Sequence, residues 1–298
     1  MKLPSLTVAF ITARDEPRFE WFVSSLEPQA NDEKIKTVVV SVKKPLGWGW
    51  AMTQPKPTVW QGQHRLTKED NWAVSNARNT AICLCETEWI AFLDDRCVLG
   101  PQWLEAVHDA MRGRYVVCGP YEKTHNLVVE NGAAKSWDKI PGRDARMTYT
   151  DWHLRPTAHK NPWPALPEWT YGCSLALPLE WALAVNGFDE TCDGLSGEDG
   201  IFGWMLHNRG YPILFDERLS VIQDRTPGQC GPVMIRRDKG VSPHDASHAL
   251  LAKLGKLDRA AHPIDLRQIR KDVLAGKDWP KPWGPTHHFF DNQPLSEM

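Results

Sequence analysis

Residues 88–99 read EWIAFLDDRCVL, an apolar run that stops on two adjacent carboxylates. Glu88 to Leu93 is too short for a typical helix and too apolar for an exposed segment, so it predicts a buried strand. Asp94 and Asp95 at its end repel each other unless a cation or strong donors lie between them. A divalent metal shared with phosphate oxygens is one solution. The plain alternative is a turn, or an N-cap of the helix that follows from Pro101.

The same rhythm extends outward from this strand. Leu6–Thr12 (LTVAFIT) and Thr37–Val42 (TVVVSV) predict two more buried strands, with a helix over Phe19–Leu26 behind Pro17. Asp70–Cys85 and Pro101–Met111 predict helices, and Tyr115–Cys118 a further strand. Alternation of this kind implies an α/β protein with a mostly parallel sheet flanked by helices. Ligands of such sheets bind beyond the carboxyl ends of the strands, where Arg14, Lys43 and Asp94-Asp95 should gather. Lys43 to about Trp72, and Glu122 to Trp169, read as irregular. Order returns with strands at Ser174–Leu177, Pro212–Phe215 and Leu219–Ile222, and helices at Leu179–Val185, Glu198–Arg209 and His248–Leu254. The last 35 or so residues read as a tail over the surface. The expected division is a ligand-binding half (1–120), a second half completing the site (121–255) and a tail (256–298), all in one compact domain.

The 298 residues carry a formal net charge of -2, which gives no global pull toward nucleic acid or anionic membrane. No apolar run approaches the ~20 residues needed to span a bilayer, and the N-terminus lacks a signal-peptide cleavage pattern, so a cytoplasmic protein is expected. The seven cysteines form no CxxC pair, which speaks against a zinc site or a disulfide framework. Fifteen tryptophans can fill cores or wall a ring-shaped ligand.

Two further clusters carry chemistry. Ser75-Asn76-Ala77-Arg78-Asn79 sits on the helix before the first acidic pair, where an arginine can meet phosphate and the amides a sugar; a solvated helix face is the plain alternative. Asn186-Gly187-Phe188-Asp189-Glu190 is followed by Gly194-Leu195-Ser196-Gly197-Glu198-Asp199-Gly200, with carboxylates placed where a helix begins. That position favours an ionised carboxylate, and the glycines let a substrate approach the backbone.

Taken together and in order, these clusters resemble family 2 of the inverting glycosyltransferases, which have the GT-A fold. The resemblance runs over roughly residues 5–225, through Thr12-Ala13-Arg14-Asp15-Glu16, Ala77-Arg78-Asn79, FLDDRCVL and the NGFDE…GEDGIF block. It implies that Thr12 and Arg14 edge a nucleobase pocket, and that Arg78 and Asn79 lie near ribose and diphosphate, so that losing Arg78 weakens nucleotide binding. Asp94 and Asp95 would contact ribose and metal, and Gly172 would border the donor sugar. Asp199 would be the general base and Glu198 would bond substrate hydroxyls. Trp169 and Tyr171 would wall the acceptor, one or more of Trp152, Trp163 and Trp169 lining its cleft. The family's acidic motif usually reads Asp-x-Asp, and here the third position is Arg96. Either Asp95 binds the metal or Arg96 neutralises phosphate charge. Related transferases also take a histidine beyond the catalytic helix; Gln223-Asp224 stand there instead, which leaves Mn²⁺ or Mg²⁺ to Asp95 and His244, with His248 or Asp224 in reserve.

The implied reaction moves a sugar from a nucleoside diphosphate, UDP by family habit, to an acceptor hydroxyl. The acceptor is a glycan, a lipid-linked sugar or, as in phage enzymes, a hydroxymethylated DNA base. In the last case Arg143, Arg146, Arg155, His159 and Lys160 would track phosphates. A non-catalytic nucleotide- or carbohydrate-binding protein is the rival from another class, and it has no use for the Glu198-Asp199 pair.

Overall fold

The structure, a computed structural model, describes residues 3–12, 14, 16–30, 35–41, 57–61, 74–140, 161–193, 197–226 and 250–280. Within them the first strand, β1 (Leu6–Thr12), is buried along its whole length. It lies between β2 (Lys36–Ser41) and β4 (Trp89–Asp94), parallel to both. Helix α1 (Phe19–Ala30) links β1 to β2, and α2 (Val74–Leu84) precedes β4. The stretch expected to be irregular holds β3 (Thr58–Gln61), which adds to β2 in parallel.

Beyond β4 come the short β5 (Cys97–Leu99), α3 (Trp103–Gly113) and β6 (Val116–Cys118). Strand β10 (Leu175–Pro178) inserts antiparallel between β4 and β6 and leads into α4 (Leu179–Ala184). Helix α5 (Glu198–Asn208) and β11 (Ile213–Phe215) follow, β11 running parallel to β6. A two-residue β9 (Trp163–Pro164) closes the edge, giving the order β3-β2-β1-β4-β10-β6-β11-β9. Inner pairs are therefore parallel except around β10, close to the expected plan.

The two faces of this sheet follow the strand period of two. Ala9, Ile11, Val38, Val40, Ile90 and Phe92 pack under α2, α4 and α5, with Phe188 and Phe202. Val8, Phe10, Val39, Ala91, Leu93 and Val117 face α1 and α3, where Phe10 meets Phe19 edge-on at 5.1 Å and Phe22 at 5.8 Å.

A second sheet has the order β5-β12-β7-β8, with β7 (Tyr121–Glu130), β8 (Ala133–Lys139) and β12 (Val221–Asp224). The β7–β8 hairpin falls in a stretch read as irregular. Its turn residues Asn131 and Gly132 have φ of 51° and 74°, the paired positive values of a tight hairpin turn. The Asn-Gly dipeptide was the available signal.

The C-terminal residues are more than a surface tail. Ile264 O accepts from Asn186 Nδ2 at 2.7 Å, Asn186 Oδ1 accepts from Leu266 N at 3.0 Å, and His262 Nδ1 accepts from Glu190 N at 3.2 Å. Helix α6 (Leu266–Leu274), capped by Asp265, continues from there. Thus residues 262–266 buttress the NGFDE loop. Phe10→Ala should cost about 3–5 kcal/mol of unfolding free energy, as for other buried aromatics. Leu274→Ser, at a half-exposed site, should change it by less than about 0.5 kcal/mol. Chemical denaturation of both variants checks the assignment of the core.

Candidate active site

The carboxyl ends of β1 and β4 and the N-termini of α2 and α5 converge on one side of the large sheet. The second and third sequence clusters interlock there. Backbone N–H groups of Ser75 and Asn76, at the start of α2, donate to the Asp193 carboxylate at 2.8 and 3.0 Å. Asp193 thus supplies from afar the cap that α2 lacks in its own sequence. The side chain of Asn79 accepts from Phe188 N at 2.8 Å and donates to Phe188 O at 2.8 Å and Glu190 at 3.0 Å. Asn79, expected near the ribose, is therefore buried and spends its amide on holding the NGFDE loop. A Cβ on Gly187 would fall 2.3 Å from Asn79 Oδ1, and its φ is +74°, so glycine is required.

Arg78 is the centre of the site. Its side chain is 3% exposed and meets Asp199, Glu198 and Asp94. Nη1 donates to Asp199 in a short hydrogen bond and to Glu198 at 3.3 Å, while Nη2 reaches Asp94 at 3.4 Å. Gly172, the residue expected beside the donor sugar, makes room for this guanidinium: a Cβ there would lie 2.2 Å from Arg78 Cζ. The Phe188 ring centroid is 5.0 Å from Cζ, within cation–π range. Burial works against the arginine's charge, but Asp199, Asp94 and Glu198 outweigh it and raise its pKa. Arg78 thus stands among carboxylates, where the sequence suggested phosphate.

Glu198 and Asp199 open α5 behind Gly197, whose φ of +94° turns the chain into the helix. The Thr170 hydroxyl donates to Asp199 O at 2.9 Å. Asp199 is pushed up to about 7, first by burial, then by Glu198 and Asp94, with Arg78 and the Gly172 N–H pulling the other way. Three carboxylates share one guanidinium, so the last of them to ionise does so reluctantly. A carboxyl group poised near neutrality can take a proton from a substrate hydroxyl.

The adjacent acids part ways. Asp94 stays a quarter exposed on the site side, whereas Asp95 is buried. Asp95 accepts from the Thr12 hydroxyl at 2.6 Å and pairs with Arg14 Nε at 3.1 Å. Arg14 Nη1 is buried with no hydrogen-bond partner among the described residues, at the β1 end where the nucleobase edge is expected. Arg96 is fully buried, pairs with Asp224 and donates to Glu16 O at 3.1 Å. Arg96 and Asp224 thus stand paired with each other, where the sequence offered one for phosphate neutralisation and the other as a reserve metal ligand. Arg225 was missed in the sequence: Tyr121, Asp94 and Asp95 outweigh burial and raise its pKa, so it belongs to the same charged edge.

Among the described residues, no three His, Cys, Asp or Glu side chains stand together as a metal site. His244 and His248 lie outside the described residues, as do Trp152, Lys43 and the basic run from Arg143 to Lys160. Trp163 and Trp169 depart from the acceptor-wall expectation. Both are buried against Phe215, with ring centroids at 5.2 and 6.3 Å, because β9 and the turn after it close the edge of the sheet. Tyr171 is half-buried beside Gly172. No helix among the described residues is long and apolar enough to cross a membrane.

Residues 61–161 match the model of a family described as glycosyl transferase family 2. The chain is 31% identical over 161 residues to validoxylamine A glucosyltransferase of Streptomyces hygroscopicus subsp. jinggangensis (strain 5008), covering 48% of this chain and 37% of that protein. The protein of the same name from subsp. limoneus is also 31% identical, with 34% of it covered. The chain thus spans about a third of the length of these curated relatives. Among solved structures, GalNAc-T7 with UDP, GalNAc and Mn²⁺ superposes with a TM-score of 0.57 at 14% identity, over 83% of this chain and 48% of that one. Mannosyltransferase PcManGT from Pyrobaculum calidifontis, in complex with GDP-Man and Mn²⁺, gives 0.52 at 15%, over 77% and 59%. S. aureus TarS gives 0.55 at 13%, over 91% and 42%. The fold is GT-A, and residues 61–161 are similar to glycosyl transferase family 2.

The raised Asp199 has a thermodynamic consequence. Its folded pKa, about 7, lies above the ordinary carboxylate value of 3.8, so the folded state holds a proton that the unfolded chain has released. Stability from this group is full below about pH 4 and is lost as pH rises through 7. Asp199→Asn should therefore flatten the fall in stability between those limits, as read by denaturation at several pH values; an unchanged slope contradicts the assignment.

Proposed function

We propose that the protein is an inverting glycosyltransferase that moves a hexose from a nucleoside diphosphate, UDP in the first instance, to an acceptor hydroxyl. The observation that carries the proposal is the Glu198-Asp199 pair at the N-terminus of α5, facing Asp94 across Arg78. The Asp199 carboxylate accepts the proton of the acceptor hydroxyl. The freed oxygen attacks the anomeric carbon as the bond from that carbon to the diphosphate oxygen breaks, and the nucleoside diphosphate leaves. Displacement from the face opposite the leaving group inverts the anomeric centre. General-base help of this kind is worth about 10²–10⁴-fold. Glu198, 17% exposed on the same helix turn, holds a substrate hydroxyl in this reading.

The donor enters over the β1 and β4 ends, where Thr12, Arg14 and Asp94 are assigned to nucleoside and ribose. The Mn²⁺ named with two of the structural neighbours supports a divalent cation, Mn²⁺ or Mg²⁺, beside the diphosphate. The described residues do not by themselves fit such an ion. Asp95, expected as a ligand, is turned onto Thr12 and Arg14, and His244 lies outside the described residues. The steps above use only the chain's own groups. The relatives' name, validoxylamine A glucosyltransferase, favours glucose as the sugar and an acceptor of the validoxylamine A kind over a lipid-linked sugar or DNA.

Asp199→Asn keeps the shape of the carboxylate and cannot take the proton. It should reduce transfer to below a tenth of wild type, while UDP binding by calorimetry stays nearly unchanged. UDP release measured over a panel of UDP-sugars, with free sugars, lipids and hydroxymethylated DNA as acceptors, checks this and identifies the acceptor. Turnover at or above that tenth removes Asp199 from the role.

A further inference from the structure

We infer that Arg78 is a positioning residue for the base: its guanidinium, seated beside Gly172, fixes Asp199 against the donor-side Asp94, and it does not bind the donor's phosphates. The inference rests on the proposed role of Asp199 and adds what holds that carboxylate in place.

Four observations carry it. The side chain is 3% exposed, and the carboxylates of Asp94, Glu198 and Asp199 lie around its two Nη atoms. A guanidinium so engaged has little left to offer a diphosphate. Its reach crosses the site, from β4 on the donor side to the first turn of α5 that carries the base. A planar fork can span that gap, whereas an ammonium is a single point of charge. Gly172 shapes the seat, since a Cβ would fall 2.2 Å from Cζ and 2.5 Å from Nη1, and the Phe188 ring fixes a further boundary of it. Lastly, Arg78 Nε is buried with no hydrogen-bond partner among the described residues, so the guanidinium is held by the contacts of its two Nη atoms, which bring three carboxylates to one point.

The inference also makes a glycine at 172 a requirement of the catalytic helix. The same residue donates its N–H to Asp199, so the chain around Gly172 touches both the base and the group that orients it.

The test separates kcat from donor affinity in Arg78→Lys, Arg78→Ala and Gly172→Ala, each first shown to be folded by circular dichroism. A base displaced by about 1 Å can lose on the order of 10²-fold in rate. Arg78→Lys and Gly172→Ala should both show such a loss in kcat, with UDP affinity by calorimetry within about threefold of wild type, a change under 1 kcal/mol. Lysine keeps the charge and loses the fork, so its failure to rescue distinguishes orientation from simple neutralisation. Residues acting through one another are not additive, so Arg78→Ala placed in Asp199→Asn should cost no further activity. The Asp199→Asn variant alone reports on the base reading, independently of Arg78. The inference is overturned if Arg78→Lys weakens UDP binding by tenfold or more with kcat unchanged at saturating donor. It is equally overturned if Arg78→Ala and Asp199→Asn multiply in the double variant. Should Arg78→Ala fail to fold, Gly172→Ala still decides, and wild-type kcat in that variant sinks the inference.

Discussion

One buried guanidinium organises the acidic edge of this protein. Arg78 brings together Asp94 from the central sheet and Glu198 and Asp199 from the start of α5, three groups that would otherwise repel. Buried charges persist only when paired and hydrogen-bonded, and Arg78 is the partner these three acids share. The rest of the local architecture keeps that partner in place. Asp193 caps the helix that carries Arg78, and Asn79 on the same helix grips the loop that precedes Asp199. Gly172 leaves the space and Phe188 the apolar flank. The C-terminal segment around His262 and Leu266 then braces that loop from behind.

The arrangement resolves the problem posed by two adjacent carboxylates at the end of one strand. Strand β4 ends at Asp94 and the chain bends at Asp95, and the two side chains part there: Asp94 turns to Arg78 and the site, and Asp95 turns to Thr12 and Arg14. Each acid finds its own cation. Arg96, where the family pattern has a third acid, carries this logic further by pairing with Asp224 between the two sheets. A motif that reads as three residues of one ligand set is, in this chain, divided among three separate arginine partnerships.

Much of this was legible in the sequence, for identifiable reasons. Unbroken apolar runs such as LTVAFIT and WIAFL can only be buried strands, and their ends carry the charged residues, so the sheet and the side it uses followed directly. The carboxylate pair at 198–199 was legible because glycines bracket it at a helix start. Partnerships across the fold were not. Nothing local says that Arg78 meets Asp199, 121 residues away, when a phosphate is an equally good partner for a guanidinium. Trp169 was placed on the acceptor wall because it precedes Tyr171-Gly172, the stretch that forms that wall in the family resembled, yet tryptophan suits a core as well, and the closing of the sheet edge by β9 buries it. The β7–β8 hairpin was hidden by its exposed, polar faces, which blur the alternation, although Asn131-Gly132 marked its turn.

The central claim is that Asp199, held by Arg78 among like charges, is the group that takes the proton. The pH dependence of kcat/KM tests it most directly. With burial and two neighbouring carboxylates pushing Asp199 up to about 7, kcat/KM should climb about tenfold per pH unit below that value and level off above it. Asp199→Asn should abolish the inflection. A wild-type profile that stays flat across roughly pH 5–9, or one whose inflection survives in Asp199→Asn, would contradict the account.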